Sequence, residues 1–450
     1  MGAGIILRIL RLRRELLSRE RWTREALLAH QREALAVLRR EATARSPFYR
    51  ELHRGLERAP LEELPVMTKA MVMEHFDEVV TDRTLHLRDL ESYLAALHGD
   101  SLFAGRYWVS ATSGSSGRKA IIPSDQREWS TIIASYARAN AWAGIRTGAF
   151  RRVTMAVVSS TTPSHQSARV AATVRSPIVP THRFDAGQPI DGLVESLNAL
   201  QPAVLVAYAS MIRVLADEQL RGHLRISPRA VNCSSEVLTQ APRVLATRAW
   251  SVPPFEVYAA TETGGIAAEC SAHRGMHLFE DLVIPEVVDT RDRPVPDGVT
   301  GDKLLVTVRF ARTLPLIRYE MTDRVRISTR SCVCGRPFRL VEAVEGRTDD
   351  VLHLPGTRGD PVVVHPLVLE RALEHVPAEG WQVRQTERGL LILVARPRSG
   401  FDGSRVRQAV LRALEQAGAR VDSIDLSVVD EIPAGAAGKR PLVVTFRRAG

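Results

Sequence analysis

Cysteine is scarce in this chain: four residues in 450, at Cys233, Cys270, Cys332 and Cys334. Their uneven spacing excludes the dense disulfide framework of small secreted domains and points to a reducing cytosol. Also missing is any apolar run near the roughly 20 residues that a bilayer span needs. The opening MGAGIILRILRLRRELL is broken by arginines too early for a secretory h-region. A soluble, cytoplasmic protein with no transmembrane segment is therefore expected. Basic residues with interleaved aromatics around a nucleic-acid-binding signature are absent as well, so no nucleic-acid partner is expected. The formal charge of +10 is instead concentrated at one end, because residues 1–58 hold 14 Arg and 7 Glu with no Lys or Asp, a net +7. That stretch reads as a solvated helical leader with basic faces, or as a peripheral membrane or partner contact through Ile5, Ile6, Leu7, Ile9 and Leu10.

A chain of this length exceeds one compact core, so two or more domains are expected. From Thr23 to Arg45 the apolar positions Leu27, Leu28, Ala34, Leu35, Val37 and Leu38 recur at helical spacing, and Ser46-Pro47 ends the pattern. Beyond it, β-prone runs at 153–160, 203–210, 229–235 and 255–261 alternate with helical segments at 193–200 and 211–220. Such alternation predicts an α/β fold, a large domain with mostly parallel sheets flanked by helices. Ligands of such sheets bind beyond the carboxyl ends of the strands, where this sequence places Ser234-Ser235-Glu236 and Thr261-Glu262-Thr263-Gly264-Gly265. Hairpin-like strands follow at 282–289, 303–308 and 324–328. A boundary near 346–350 then introduces a small α+β domain, with helices near 367–375 and 406–417 and strands at 390–395 and 425–429. The expected division is 1–58, a basic helical leader; 59–346, a large domain with a metal-binding hairpin region at 270–334; and 347–450, a small mobile domain.

The usual nucleotide-binding loop is lacking too. The position five before Gly117, where the Walker pattern needs glycine, is Thr112, and Arg118-Lys119-Ala120 replaces Lys-Ser/Thr after it. What stands there is Ser113, Gly114, Ser115, Ser116 and Gly117, an array of unobstructed backbone N–H groups and hydroxyls with Arg118 and Lys119 supplying charge, suited to phosphate oxygens. Four further stretches carry chemistry. Tyr258 to Gly265, YAATETGG, offers Glu262 for a divalent cation. Leu314 to Asp323, LPLIRYEMTD, offers Asp323 for a ribose diol and Arg318 for phosphate. Gly346 to Asp350, GRTDD, stands at the proposed boundary, and Ala434 to Arg440, AGAAGKR, presents Lys439 on a flexible loop. Taken singly, each also reads as an ordinary loop or surface group.

In this order the five stretches resemble the adenylate-forming superfamily of acyl- and aryl-CoA synthetases, and most closely its phenylacetate-CoA ligase branch, from about Arg45 through Lys439. The resemblance implies ATP, Mg²⁺ and coenzyme A as ligands. It implies that Ser113 to Gly117 with Lys119 grip the pyrophosphate, that Glu262 associates with Mg²⁺ and Thr261 lies near the AMP phosphate, and that Tyr258 lies against adenine. By the same resemblance Asp323 binds ribose, Arg347 contacts the nucleotide, Asp349 or Asp350 is the hinge, and Lys439 swings in for adenylation. Two departures stand out: no proline near Lys119, and a Pro-rich segment after the hinge.

Cys270, His273 and His277 in one cluster and Cys332 and Cys334 in another would make a Cys₃His zinc set if a hairpin joins them. The resembled branch often has the same cluster, and its Gly-x-His favours His277, whereas His273 has the compact Cys-x-x-His spacing. Reduced cysteines with surface histidines are the alternative. Cys233 reads as a buried strand residue. The expected function is AMP-forming ligation of an aryl or arylacetic acid to coenzyme A, its acyl pocket lined by Tyr208, Ala209, Ser234, Ser235, Glu236 and Ala259. An amine or carrier-protein thiol as acceptor, or a catalytically silent nucleotide- or partner-binding homologue, are the alternatives. The oligomeric state, a homodimer included, is left open.

Overall fold

The computed structural model describes residues 3–112, 119–145, 152–173, 179–186, 188, 190–347, 352–357, 362–364, 366–373, 376–387, 389–433 and 441–445. Its centre is a nine-stranded sheet. One half is parallel, in the spatial order Thr181–Asp185, Met155–Ser159, Val204–Ala207, Ala230–Ser234 and Phe255–Ala260. All but the edge strand Thr181–Asp185 are short apolar runs, because helices cover them: Ile190–Leu200 and Ala209–Leu220 bury Leu193, Leu197, Ile212 and Leu215 beside Val158, Leu205 and Val231. The other half is antiparallel, adding Gly264–Glu269, Met276–Leu278, Leu340–Arg347 and Asp323–Ile327.

The change of direction happens at Thr261-Glu262-Thr263, where Ala260 pairs with Gly264 across a tight turn. Gly264 has φ +67°, a conformation glycine adopts without steric cost. Its neighbour Gly265 has no room for a side chain, since a Cβ there would meet Phe279 at 2.8 Å and Ser135 Oγ at 3.0 Å. The missing side chain lets the Gln126–Trp142 helix lie close, with the Gly265 N–H donating to Ser135 Oγ at 3.0 Å. That helix starts at a capping box of Asp125 and Glu128. The buried Glu128 carboxylate also accepts from Thr313 N–H at 2.7 Å, so the cap tethers a distant loop.

The leader packs one face of each of its helices on the body and leaves the other to solvent. Helix α1 (Ala3–Arg19) buries Ile5 and Ile9 against Trp129, Ile132 and Ile133, and helix α2 (Arg24–Arg45) buries Leu27, Gln31, Leu38 and Ala42. Thr23 caps α2 as the sequence implies, its hydroxyl accepting from Ala26 N–H at 3.2 Å. Arg24 reaches Glu280 at 2.6 and 2.9 Å, and Gln31 donates to the Glu280 carbonyl at 2.8 Å.

Toward the C-terminus a four-stranded sheet, in the order Ser423–Val429, Gly389–Pro397, Ala378–Gln385 and Val443–Val444, encloses its own core of Val383, Ile392, Val394, Val410 and Leu414 with helices Pro366–Leu373 and Gly403–Gln416. Strand Ala378–Gln385 has no counterpart among the sequence expectations, because AEGWQVRQ lacks an apolar alternation of its own. It is held by ladder bonds to both neighbours.

Candidate active site and metal centre

Adjacent parallel strands end in polar groups on the same edge of the sheet: Ser159 and Ser160, then Tyr208 after Val204–Ala207, Ser234 to Glu236, and Thr261-Glu262. They are joined by hydrogen bonds. The Ser160 N–H donates to the Tyr208 hydroxyl at 2.8 Å, and His165 Nδ1 lies 2.8 Å from Ser160 Oγ. Glu236 accepts from the Ser210 N–H at 2.8 Å. Ser235 takes φ +68°, a left-handed conformation uncommon outside glycine and held here by the turn that presents Glu236. Burial pushes the Tyr208 hydroxyl up to about 12, so it remains a neutral donor at physiological pH.

Glu262 is half-buried at the turn, and its Oε1 accepts from the Tyr319 hydroxyl at 3.1 Å. Tyr319 occupies one of two carboxylate oxygens, so the group retains acceptor capacity for a cation. Thr261 is positioned through its backbone: Gln166 Nε2 donates to its carbonyl at 2.8 Å while Gln166 Oε1 accepts from Tyr136 at 3.0 Å. Tyr258 and Ala259 are half-buried on the strand before the turn. Asp323 is buried and begins its strand directly opposite Arg347 in the ladder.

Lys119 is exposed, just before the second strand of a hairpin stem of Trp108–Ala111 and Ile121–Ser124. Thr112 N–H donates to Ala120 O at 3.0 Å and Ala120 N–H to Thr112 Oγ1 at 2.9 Å, which joins the two ends of the stretch that in sequence holds Ser113, Gly114, Ser115, Ser116 and Gly117. Those five residues, with Asp349, Asp350 and Lys439, lie outside the described residues.

Arg318 departs from its expected role as a phosphate ligand. It is buried, its guanidinium pairs with Glu286 at 3.1 Å and donates to Leu64 O at 2.5 Å, and so its charge is committed to the fold. Tyr319, Gln166 and the Ser160–His165 pair went unread in the sequence. Tyr319 sits in the quoted LPLIRYEMTD stretch, but only a structure shows that it meets a carboxylate 57 positions away.

The metal-ligating groups divide cleanly. Cys270, His277, Cys332 and Cys334 place one ligand atom each within 4.8 Å of one another. Cys270 and Cys332 Sγ are 3.7 Å apart, and Cys334 Sγ is 3.2 Å from His277 Nε2. With Zn–S bonds of about 2.3 Å, a tetrahedral site has S···S edges of about 3.8 Å, so the first separation suits zinc. His277 Nδ1 lies 3.3 Å from Phe338 O, an outer partner that leaves Nε2 for a metal. Burial pulls His277 down to about 4, keeping it neutral as a ligand must be, and pushes the Cys270 thiol up to about 12. A buried thiol with so high a value would be released as thiolate only by a cation. His273 does not join the group. Its Nδ1 lies 3.2 Å from Glu269 and its ring 4.5 Å from Phe255, on the far side of a left-handed turn at φ +48°. Cys233 is buried, as its strand position implied.

No family model matches the chain. Among curated proteins, the phenylacetate-coenzyme A ligase of Thermus thermophilus is 27% identical over 368 residues, covering 79% of this chain and 76% of its own. That of Escherichia coli is 27% identical over 301 residues, covering 63% of this chain and 64% of its own. Among solved structures, 2-hydroxyisobutyryl-CoA ligase in its postadenylation state superposes with a TM-score of 0.72 at 19% identity, over 94% of this chain and 89% of its own. The anthranilate CoA ligase AuaEII superposes with a TM-score of 0.51 at 15% identity, over 74% of this chain and 65% of its own. By sequence the chain is thus similar to phenylacetate-coenzyme A ligases, and it shares the fold of 2-hydroxyisobutyryl-CoA ligase.

Proposed function

We propose that this chain is an ATP-dependent, AMP-forming ligase that adenylates an aryl or arylacetic acid and passes the acyl group to coenzyme A. The observation that carries this reading is the likeness to a phenylacetate-coenzyme A ligase over 79% of the chain. The polar strand ends around Glu262 support it. In the first step an oxygen of the acid attacks the α-phosphorus of ATP, a P–O bond forms, and pyrophosphate leaves with the electrons of the broken bond. In the second the coenzyme A sulfur attacks the acyl carbonyl, AMP leaves, and the thiol proton passes to solvent.

Ser113 to Gly117 with Lys119 would cradle the departing pyrophosphate, and Lys439 would neutralise charge developing on the α-phosphate. Thr261 would contact the AMP phosphate, Tyr258 and Ala259 the adenine, Asp323 the ribose diol and Arg347 the nucleotide. Glu236 would face the acyl side. Mg²⁺ held by Glu262 would supply charge neutralisation; Tyr319 would fix the carboxylate that holds it. Zinc, held by Cys270, His277, Cys332 and Cys334, would have four protein ligands and no open position, so its role is structural. We divide the chain into a leader at 1–58, an adenylating unit at 59–346 and a small unit at 347–450 that turns about Asp349 or Asp350 between the two steps. Four unpaired thiols suit a reducing, cytoplasmic setting.

The test is acid-dependent exchange of labelled pyrophosphate into ATP, without acceptor, across aromatic, arylacetic and aliphatic acids. Exchange with the first two classes is expected, and a Lys439→Ala protein should bind ATP yet lose exchange. Thioester should then form on adding coenzyme A. Exchange followed by product only with an amine or a carrier-protein thiol would replace the acceptor, and absence of exchange with every acid would remove the enzymatic reading.

A further inference from the structure

Among the described residues, eleven large apolar side chains are exposed, and four of them, Ile6, Leu7, Leu10 and Leu17, stand on α1. That concentration marks a patch rather than the scattered apolar exposure ordinary on protein surfaces. At about 100° per residue the four fall within an arc of about 100° on the helix, turned away from Ile5, Ile9 and Leu16, which anchor α1 to the body. Leu7 is 71% exposed.

The charge around this stripe has one sign. The two carboxylates in this stretch are occupied: Glu15 pairs with Arg11 and Arg19, and Glu20 with Arg336. Among the described residues no carboxylate pairs with Arg8, Arg13 or Arg14. Arg14 projects from within the apolar arc and Arg13 flanks it, and both have aliphatic stems long enough to let Leu neighbours bury while the guanidinium stays at a polar boundary.

We propose that α1 is a docking surface for an anionic lipid bilayer, with Ile6, Leu7, Leu10 and Leu17 entering the acyl boundary and Arg13 and Arg14 meeting lipid phosphates. A helix that is apolar along one line and basic at its rims lies in the plane of such an interface. The inner face of a cell membrane has the matching charge. A second copy of the chain is a poorer occupant, because pairing two such stripes sets arginine against arginine. The proposal stands apart from the acid-ligating reading, and its failure would leave that reading untouched.

The experiment is co-sedimentation of the full chain with vesicles of phosphatidylcholine alone, or with about 30 mol% phosphatidylserine, a content that gives the surface its negative potential. Binding to the anionic vesicles only, weakened by salt, is expected. The Leu7→Ser/Leu10→Ser protein should lose affinity about tenfold or more while keeping its melting temperature, since both side chains are outside the core. Arg13→Glu/Arg14→Glu should lose it as well. Three results would each overturn the proposal: no sedimentation at low ionic strength, sedimentation unaffected by the Leu7/Leu10 change, or a concentration-dependent dimer in solution abolished by that change. Equal binding of acidic polypeptide by the wild type and the Leu7/Leu10 variant would overturn it too, in favour of a purely ionic partner.

Discussion

Replacing Asp281 with asparagine should destabilise the protein far more than its volume change implies. The Asp281 side chain is fully buried and receives both Nη atoms of Arg138, at 2.7 and 2.6 Å, with an Arg19 nitrogen at 3.6 Å. Arg138 is itself enclosed by the rings of Phe279, Phe338 and Trp142 at 5.0, 5.4 and 5.7 Å. The amide would keep the shape and remove the charge, leaving a guanidinium with no counterion in a site closed to water, a loss of about 3–5 kcal/mol. At the midpoint this lowers Tm by about 3–5 °C, read by calorimetry. Removing both partners, Arg138→Met with Asp281→Leu, should restore part of the loss, since the Arg138 charge is then not stranded, while Arg19 and Arg309 still lose their shared carboxylate. The pH dependence has a defined sign. Burial alone would raise the Asp281 carboxyl, but Arg138, with Arg19 and Arg309, holds it below the usual carboxylate range. Its contribution is therefore complete above an unfolded-state pKa of about 3.9 and disappears as pH falls through the lower folded value. Additive single losses, or a single-variant loss under about 1 kcal/mol, would refute the buried-pair argument.

Purified protein should carry about one zinc per chain by elemental analysis, and Cys332→Ser should both lower that content and reduce Tm, whereas His273→Ala should leave the metal in place. Gly265→Ala would push a methyl to 2.8 Å from Phe279 and 3.0 Å from Ser135 Oγ, and overpacking of this kind costs about 1–3 kcal/mol. Pairing it with Ser135→Ala should recover part of the loss in thermal unfolding, and no recovery would mean the Phe279 contact dominates. Glu256 is raised to about 7 by burial and then by the Glu269 charge. Its contribution is thus full below an unfolded pKa of about 4.3 and lost as pH rises through about 7, and Glu256→Gln should flatten the Tm profile across that window.

Much of the fold was legible because its signals are local. The four apolar runs from 153 to 261 are the strands Met155–Ser159, Val204–Ala207, Ala230–Ser234 and Phe255–Ala260, each shorter than the expected run by one to four residues. Thr23 and Ser46-Pro47 fix the ends of α2 because capping satisfies backbone groups within one turn. The Cys-His clusters were legible as residue types, yet the histidine was not settled by spacing.

What the sequence determined by itself is therefore the alternation of elements, the polar turns that end the strands, and the order of motifs that carries the superfamily resemblance. The tertiary structure decided which distant groups meet. It brings His277 to Cys334 and leaves His273 on Glu269, commits Arg318 to Glu286, aims the Tyr319 hydroxyl at Glu262, and seats a leader of net +7 on the body through Arg24 and Glu280, 256 positions apart. Periodicity and caps depend on neighbours within a few residues, whereas these meetings depend on strand order and on which charges must find a partner once water is excluded.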